Sequence, residues 1–313
     1  MKVLVLGGRG FIGRYAVRAL SERGHEVTIG TRKARPLPAT ALPGASFQAV
    51  CFHKVERCID WCDIVKPYDA VINCVGILRP RLRESYADVH HWAPYRIAKA
   101  CAVYGKRFIH VSALGLSDRA TSEFIRSKLA GEIAIAETGA DYSIVRPSIL
   151  DASDGFGSRW IRRVANARVQ FVPSCARGML APLAVEDLGE ALARLAEIKN
   201  EPRYREVDVG GRDERTMAVY LQALRDESLP NPIRISIPAW MVRAASHVCD
   251  LLHVTPLSWA HVQLMRRDNR PEINLLPELL GREPKRVGRL WVCPLPSKES
   301  EPHRGGPLVA GAE

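Results

Sequence analysis

The chain has 313 residues, 47% of them apolar and 25% charged, the balance of a soluble globular protein. That excludes a collagen, a largely disordered chain and a disulfide-stapled mini-domain, and at this length one large domain or two smaller ones can bury a sizeable core. Lys and Arg number 45 against 34 Asp and Glu, a formal charge of +11. The basic residues are scattered in short clusters, which speaks against nucleic acid and leaves an anionic ligand or an anionic membrane surface.

The elements follow in chain order. The start, MKVLVLGGRGFIG, has an apolar run broken by glycines, so residues 3–6 read as a buried strand and not as a secretory signal. Residues 11–23 have a helical stripe of Ile12, Tyr15, Ala16, Ala19 and Leu20. Strands are expected at 27–30 and 47–52, a helix at 55–65 and a strand at 69–76. A helix at 87–104 contains Pro94, which kinks it or marks its true start. A strand at 107–112, a helix at 122–137 and a strand at 142–147 complete the regular part. Strands alternating with helices at this spacing mean right-handed crossovers and a parallel sheet covered on both faces. The predicted fold class is therefore α/β, a Rossmann-type doubly wound parallel sheet with a smaller C-terminal α+β lobe. We divide the chain into a dinucleotide-binding domain (1–146), a C-terminal lobe interleaved with the sheet (147–296) and a disordered tail (297–313).

Beyond residue 147 helices are expected at 186–199 and 217–225. Pro230, Pro232 and Pro238 mark a break, and residues 239–254 are strongly apolar and helical. That helix reads as half-buried in the smaller lobe. A second reading makes it a surface for lipid or a membrane-associated partner, with Arg234, Arg243, Arg266 and Arg267 nearby for anionic headgroups and Trp240, Trp259 and Trp291 suited to an interface. No apolar stretch reaches membrane-spanning length. The eight cysteines are irregularly spaced with no CxxC, as in a cytosolic protein with reduced thiols. Cys58 and Cys62 share a helix face but lack further ligands, and adjacent His90 and His91 point about 100° apart on a helix, so no metal site is expected.

The chemistry begins at the first turn. Gly7, Gly10 and Gly13 follow the first strand and open the first helix. One glycine permits the tight turn, one admits the pyrophosphate to the backbone and one allows close helix–strand packing. The N–H groups of Phe11, Ile12 and Gly13 then face the phosphates. Cofactor choice is read at the end of the second strand, where an NAD binder places a carboxylate on the ribose. Here the sequence is Gly30-Thr31-Arg32-Lys33. Thr31 and Arg32 lie at the adenosine side, and the guanidinium fork of Arg32, with Arg9 in the glycine loop, suits a 2′-phosphate. NADP(H) is favoured over NAD(H).

With LGGRGFIG, DAVINCVGIL, FIHVSALG and YSIVRPSIL in this order, the sequence resembles the short-chain dehydrogenase/reductase superfamily in its extended and atypical branches. MLAPLAVEDLGEAL and the later LMRRDN make it most similar to the subgroup that contains the dehydrogenase-like accessory subunit of respiratory complex I and its bacterial relatives. The resemblance implies a catalytic Ser at Ser112 and a ribose-binding Lys at Lys128. It puts Phe124 where the catalytic Tyr stands. It also implies short backbone contacts to a cofactor ribose from Asn73 and Gly76 at the end of the fourth strand, and places Pro147 and Ser148 over the nicotinamide. His90 stands where relatives have Asn and is expected to hydrogen-bond.

Phenylalanine has no ionisable proton, and such an acid normally contributes about 10² to 10⁴ in rate. Three functions stay open. The chain binds NADPH with little hydride chemistry, at or near the inner membrane in respiratory or quinone metabolism. Or it is an active reductase or epimerase on a small carbonyl or sugar-nucleotide substrate, with Ser112, Tyr86, Tyr95, Ser122 or a water as donor. Or it is a redox sensor that binds a protein partner when loaded with NADP.

Overall fold

The computed structural model describes residues 1–32, 44–52, 58–80, 84–252 and 258–289. Lys33, Trp291 and the tail expected at 297–313 lie outside the described residues. β1 (Lys2–Leu6) is buried from its second residue onward. α1 (Gly13–Glu22) follows the glycine turn, then β2 (Glu26–Thr31) and β3 (Ser46–Ala49). α2 (Cys58–Val65), β4 (Ala70–Asn73) and α3 (Ala93–Val103) come next. One π-helical turn, Asp88–Trp92, runs directly into α3, and Pro94, which has no N–H to give to the helix ladder, lies just after that turn. The backbone is helical without a break from Tyr86, so Pro94 marks a π-helical distortion inside the expected helix and not its start.

β5 (Arg107–Val111), α4 (Glu123–Ala136) and β6 (Asp141–Pro147) close the regular alternation. Past them lie β7 (Leu150–Asp151), α5 (Phe156–Asn166), β8 (Val169–Pro173), β9 (Met179–Leu180) and β10 (Leu183–Ala184). α6 (Val185–Glu197), β11 (Glu206–Val209), β12 (Arg215–Thr216) and α7 (Met217–Leu224) follow. β13 (Ile233–Ile237), α8 (Ala239–Leu252), α9 (Trp259–Met265) and α10 (Leu276–Leu280) end the described chain.

Seven strands form one sheet in the order β11-β6-β5-β4-β1-β2-β3, every pair parallel. This is the doubly wound Rossmann-type fold. Alternation along β1 fills both faces. Val3 and Val5 join the core built with α1, α6 and α10, while Leu4 and Leu6 join that of α2, α3 and α4. α6 lies so close to α1 that a Cβ on Gly189 would stand 2.7 Å from the Tyr15 backbone.

The seventh strand and α6 come from beyond residue 147, so the later sequence supplies part of the sheet and part of its cover. Arg107, 1% exposed, ties β5 to β6 and to α6: its guanidinium donates to Asp141 at 2.6 Å and the Ser143 hydroxyl at 2.5 Å on β6, and to the Leu195 carbonyl at 3.2 Å on α6. The remaining strands pair as β7 with β10, β9 with β12 and β8 with β13. They surround a smaller core containing Leu180, Tyr220 and Val287.

The sheet order reverses between β1 and β4. Their C-terminal ends diverge there into loops on opposite faces, and the crevice between the loops is where open α/β sheets bind ligands.

Candidate functional site

The turn from β1 to α1 is built by glycines that no other residue can replace without movement. Gly7 has φ +74°, a region L-residues avoid. A Cβ on Gly13 would stand 2.2 Å from the Gly7 carbonyl oxygen. The Gly10 N–H closes the turn on that same oxygen at 2.8 Å. α1 has no acidic residue in its first turn and no side-chain cap, so the positive end of its dipole faces the crevice. The side chains of Phe11 and Ile12 turn away. The Phe11 ring lies against Gly155, where a Cβ would come within 2.5 Å of it, and Ile12 packs on the main core. Both offer only backbone to a phosphate.

The crevice is a cleft of about 580 Å³. Gly7, Arg9 and Gly10 form one wall, Thr31 and Arg32 the end of β2, and the 74–79 segment the opposite wall. Arg32 is engaged. Its Nη1 lies 2.7 Å from Oε1 of Glu84, which reaches it across the mouth of the cleft. A carboxylate therefore occupies the fork expected to be ready for a 2′-phosphate. It comes from the wall after β4 and not from the end of β2, where an NAD binder carries it.

The floor is a buried polar cluster at the ends of β4 and β5. Asn73 is fully buried. Its Oδ1 accepts the Val75 N–H at 3.1 Å, so its Nδ2 must donate to His110 Nδ1 at 3.1 Å. Asn73 is thus committed within the protein, and Gly76, not Asn73, lines the cleft. His110 then carries its proton on Nε2, and that atom is buried without a partner among the described residues. Burial, with Lys128 nearby, lowers its pKa to about 3.

Lys128 and Ser112 are 7% and 5% exposed. The ammonium makes one long bond, 3.4 Å, to the Val111 carbonyl, and desolvation lowers its pKa to about 8. Ser112 Oγ is buried with no partner among the described residues. A Cβ on Gly76 would stand 4.0 Å from Lys128 Nζ, so the bare glycine connects the cleft to the ammonium. Two orphaned polar atoms and an under-coordinated ammonium under a glycine cradle fit the hydroxyls and carboxamide of a dinucleotide, since buried polar groups are otherwise paired.

Phe124 lies one turn ahead of Lys128 on α4. Its ring meets His90 edge-on at 5.2 Å and Tyr86 at 6.0 Å. His90 is 1% exposed. It accepts the Ile77 N–H on Nε2 at 3.1 Å and donates Nδ1–H to Ser127 Oγ at 3.0 Å, which passes its own proton to the Phe124 carbonyl. Burial, chiefly, lowers its pKa to about 2. His90 is therefore a neutral brace between the cleft wall and α4. The described residues contain no group of three or more metal-ligand side chains.

Two expected contacts lie elsewhere. The Ser148 hydroxyl donates to the Asn269 carbonyl at 2.5 Å and accepts the Ala181 N–H at 3.2 Å. The Pro147 carbonyl accepts the Leu114 N–H at 3.1 Å. Ser148 is a strut between β6 and the LMRRDN segment, and neither residue lines the cleft. Of the alternative donors, Tyr86 alone adjoins Phe124 by ring contact, and its hydroxyl donates to the Leu78 carbonyl at 2.8 Å. Tyr95 stacks edge-on with Trp92, and Ser122 precedes α4 without a side-chain cap bond, its N–H donating to Gln263 Oε1 at 2.8 Å. Glu84 and His110 escaped the sequence reading. Glu84 follows the basic stretch 79–83 with no motif around it, and the histidine of RFIHVS reads as a strand residue.

The model of the NAD dependent epimerase/dehydratase family matches residues 3–210. Among curated proteins the chain is 30% identical over 195 residues to the NADH-ubiquinone oxidoreductase 40 kDa subunit of Neurospora crassa, covering 61% of this chain and 51% of that one. It is 28% identical over 151 residues to the ceramide reductase of Caulobacter vibrioides, covering 46% and 45%. The chain thus spans about half the length of these relatives. Among solved structures, the UDP-glucose 4-epimerase of Thermotoga maritima superposes with a TM-score of 0.61 at 17% identity, covering 91% of this chain and 94% of that one. The UDP-glucose 4-epimerase of Thermus thermophilus in complex with NAD gives 0.60 at 18%, covering 91% and 94%. Both share the fold.

Proposed function

The chain belongs to the NAD dependent epimerase/dehydratase family, and on that premise we propose that it binds NADPH in the cleft and performs little or no tyrosine-type hydride chemistry. One observation carries the reading: Phe124 stands where a proton donor would serve, one turn ahead of a buried Lys128. When bound, the dihydronicotinamide supplies a hydride. The glycine turn and the start of α1 hold the diphosphate, Lys128 donates to ribose hydroxyls, and Ser112 and His110 present their unpartnered polar atoms to the nicotinamide side. No proton can leave the Phe124 ring, so a hydride accepted by a carbonyl there would leave an oxyanion without its acid.

The preference for NADPH rests on the missing carboxylate at the end of β2 and on Arg32. The 2′-phosphate carries more charge than Glu84 and would take the guanidinium from it. The relatives named as complex I subunits support a role beside the respiratory chain. Titration of the purified chain with NADPH, followed by nucleotide fluorescence, tests the binding. Saturation at micromolar levels is expected, and no saturation refutes it.

A second reading keeps the enzyme active. The buried Ser112 hydroxyl has no partner among the described residues and the Tyr86 ring adjoins Phe124, so either could deliver a proton, the latter after leaving Leu78. Turnover by the unaltered chain that falls in Ser112→Ala or Tyr86→Phe would favour it.

A further inference from the structure

β8 and β13 form a two-stranded parallel sheet with one apolar face exposed. Ile233 stands beside Val169 and Ile235 beside Phe171. These four side chains are 66%, 37%, 44% and 57% exposed. On the other face, Gln170 is fully buried and donates to the Ala165 carbonyl at 2.8 Å. Arg234, in register with it, donates to Gln170 at 3.3 Å and to Gln222 at 2.7 Å. An ordinary half-covered sheet points its apolar residues inward and its polar residues outward.

The apolar surface continues in the chain. α8 starts directly after β13, with Trp240 72% and Met241 45% exposed. Single exposed apolar side chains need no account, but a contiguous set marks a contact surface.

The chain that builds this face is rich in arginine. Segments 155–181 and 228–249 contain seven Arg and no Asp, Glu or Lys. Arg162 alone of the seven meets a carboxylate among the described residues, Asp151 at 2.5 Å. Arg168 opens the sheet, its carbonyl accepting the Ile233 N–H at 2.8 Å. Arg243 lies one helical turn from Trp240 and is exposed. Of the acids beside these segments, Asp154 pairs with Arg14 and Glu227 with Arg289, and Asp226 accepts hydrogen bonds from Ser228.

We propose that this face docks on an anionic phospholipid membrane. The apolar side chains enter the boundary between headgroups and acyl chains, and the arginines meet lipid phosphates. A second copy of the chain fits less well, because a two-fold contact would bring two arginine-rich surfaces together with no acid between them. No described helix is long and apolar enough to cross a membrane. The inference stands apart from the nucleotide reading.

The test uses the full chain in co-sedimentation with phosphatidylcholine vesicles, with and without about 30% phosphatidylglycerol. Binding is expected only to the anionic vesicles and is expected to weaken with salt. Trp240→Ser, or Phe171→Ser with Ile235→Ser, should lower the partition about tenfold. Arg168→Gln and Arg243→Gln should each lower it about fivefold. Unchanged NADPH titration and circular dichroism show that each variant is folded. Three results overturn the proposal: no binding to anionic vesicles, equal binding to both kinds, or a dimer by light scattering that the apolar substitutions dissolve. NADPH binding is measured on the same preparation, so its failure alone would refute the nucleotide reading and leave the docking result standing.

Discussion

Lys128 Nζ lies 5.8 Å from the centre of the Phe124 ring, one turn away on α4. A cation set over an aromatic face gains about 0.5–2 kcal/mol. The ring thus helps to hold the ammonium that a phenol would otherwise use as its electrostatic partner. The arrangement preserves the lysine and removes the acid.

Phe124→Tyr is therefore expected to restore the missing group. The new hydroxyl would share a helix face with Lys128, whose positive charge favours phenolate. NADPH affinity should stay within a few-fold, and carbonyl-dependent NADPH oxidation should rise by about 10² or more. An unchanged rate would favour another donor.

Nucleotide binding should depend on the charge of Lys128. Burial brings its pKa down to about 8, so the ammonium is present below that pH and lost above it. NADPH affinity is expected to fall as pH rises through 8, and Lys128→Met should abolish that dependence and weaken binding about tenfold. The same burial costs stability. The unfolded lysine, with its higher pKa, holds the proton more tightly, so this group's contribution to stability rises with pH between about 8 and 10.5. Lys128→Met should raise stability by about 1 kcal/mol at neutral pH in urea titration.

Arg32 and Glu84 should set the preference for the adenosine phosphate. Arg32→Ala is expected to weaken NADPH about tenfold or more and leave NADH within a few-fold. Glu84→Gln frees the guanidinium from its 2.7 Å partner and should strengthen NADPH selectively. Isothermal titration with both nucleotides checks the pair. Equal effects on NADH and NADPH would place the 2′-phosphate elsewhere.

Gly13→Ala should damage both fold and site, because the added Cβ would meet the Gly7 carbonyl oxygen at 2.2 Å. A loss of about 1–3 kcal/mol is expected, together with loss of nucleotide binding. Gly157→Ala is the control, since a Cβ there meets nothing within 4 Å.

Much of the fold was legible because it is local. Apolar runs, glycine turns and helical stripes are properties of neighbouring residues, and they located β1 to β6 and the helices between them to within a few residues. The same holds for the glycine cradle and for Phe124 and Lys128, whose shared face follows from four-residue spacing on one helix. Two side chains hold partners that no local pattern reveals. Asn73 and Ser148 are the right residue types at the right strand ends, but His110 and Asn269, 37 and 121 residues away, claim their polar atoms.

Tertiary structure alone decided the rest. The proline-bounded segment 230–238, which reads as a break, contains β13, and its partner β8 lies 64 residues earlier. The strand that completes the main sheet, Glu206–Val209, is a four-residue stretch whose pairing with β6 no local pattern announces. The meeting of Arg32 with Glu84 spans 52 residues. Spacing along a chain encodes which face a residue occupies, because backbone geometry is periodic. Which distant group it meets there depends on how whole elements stack, and that is settled only when the core closes.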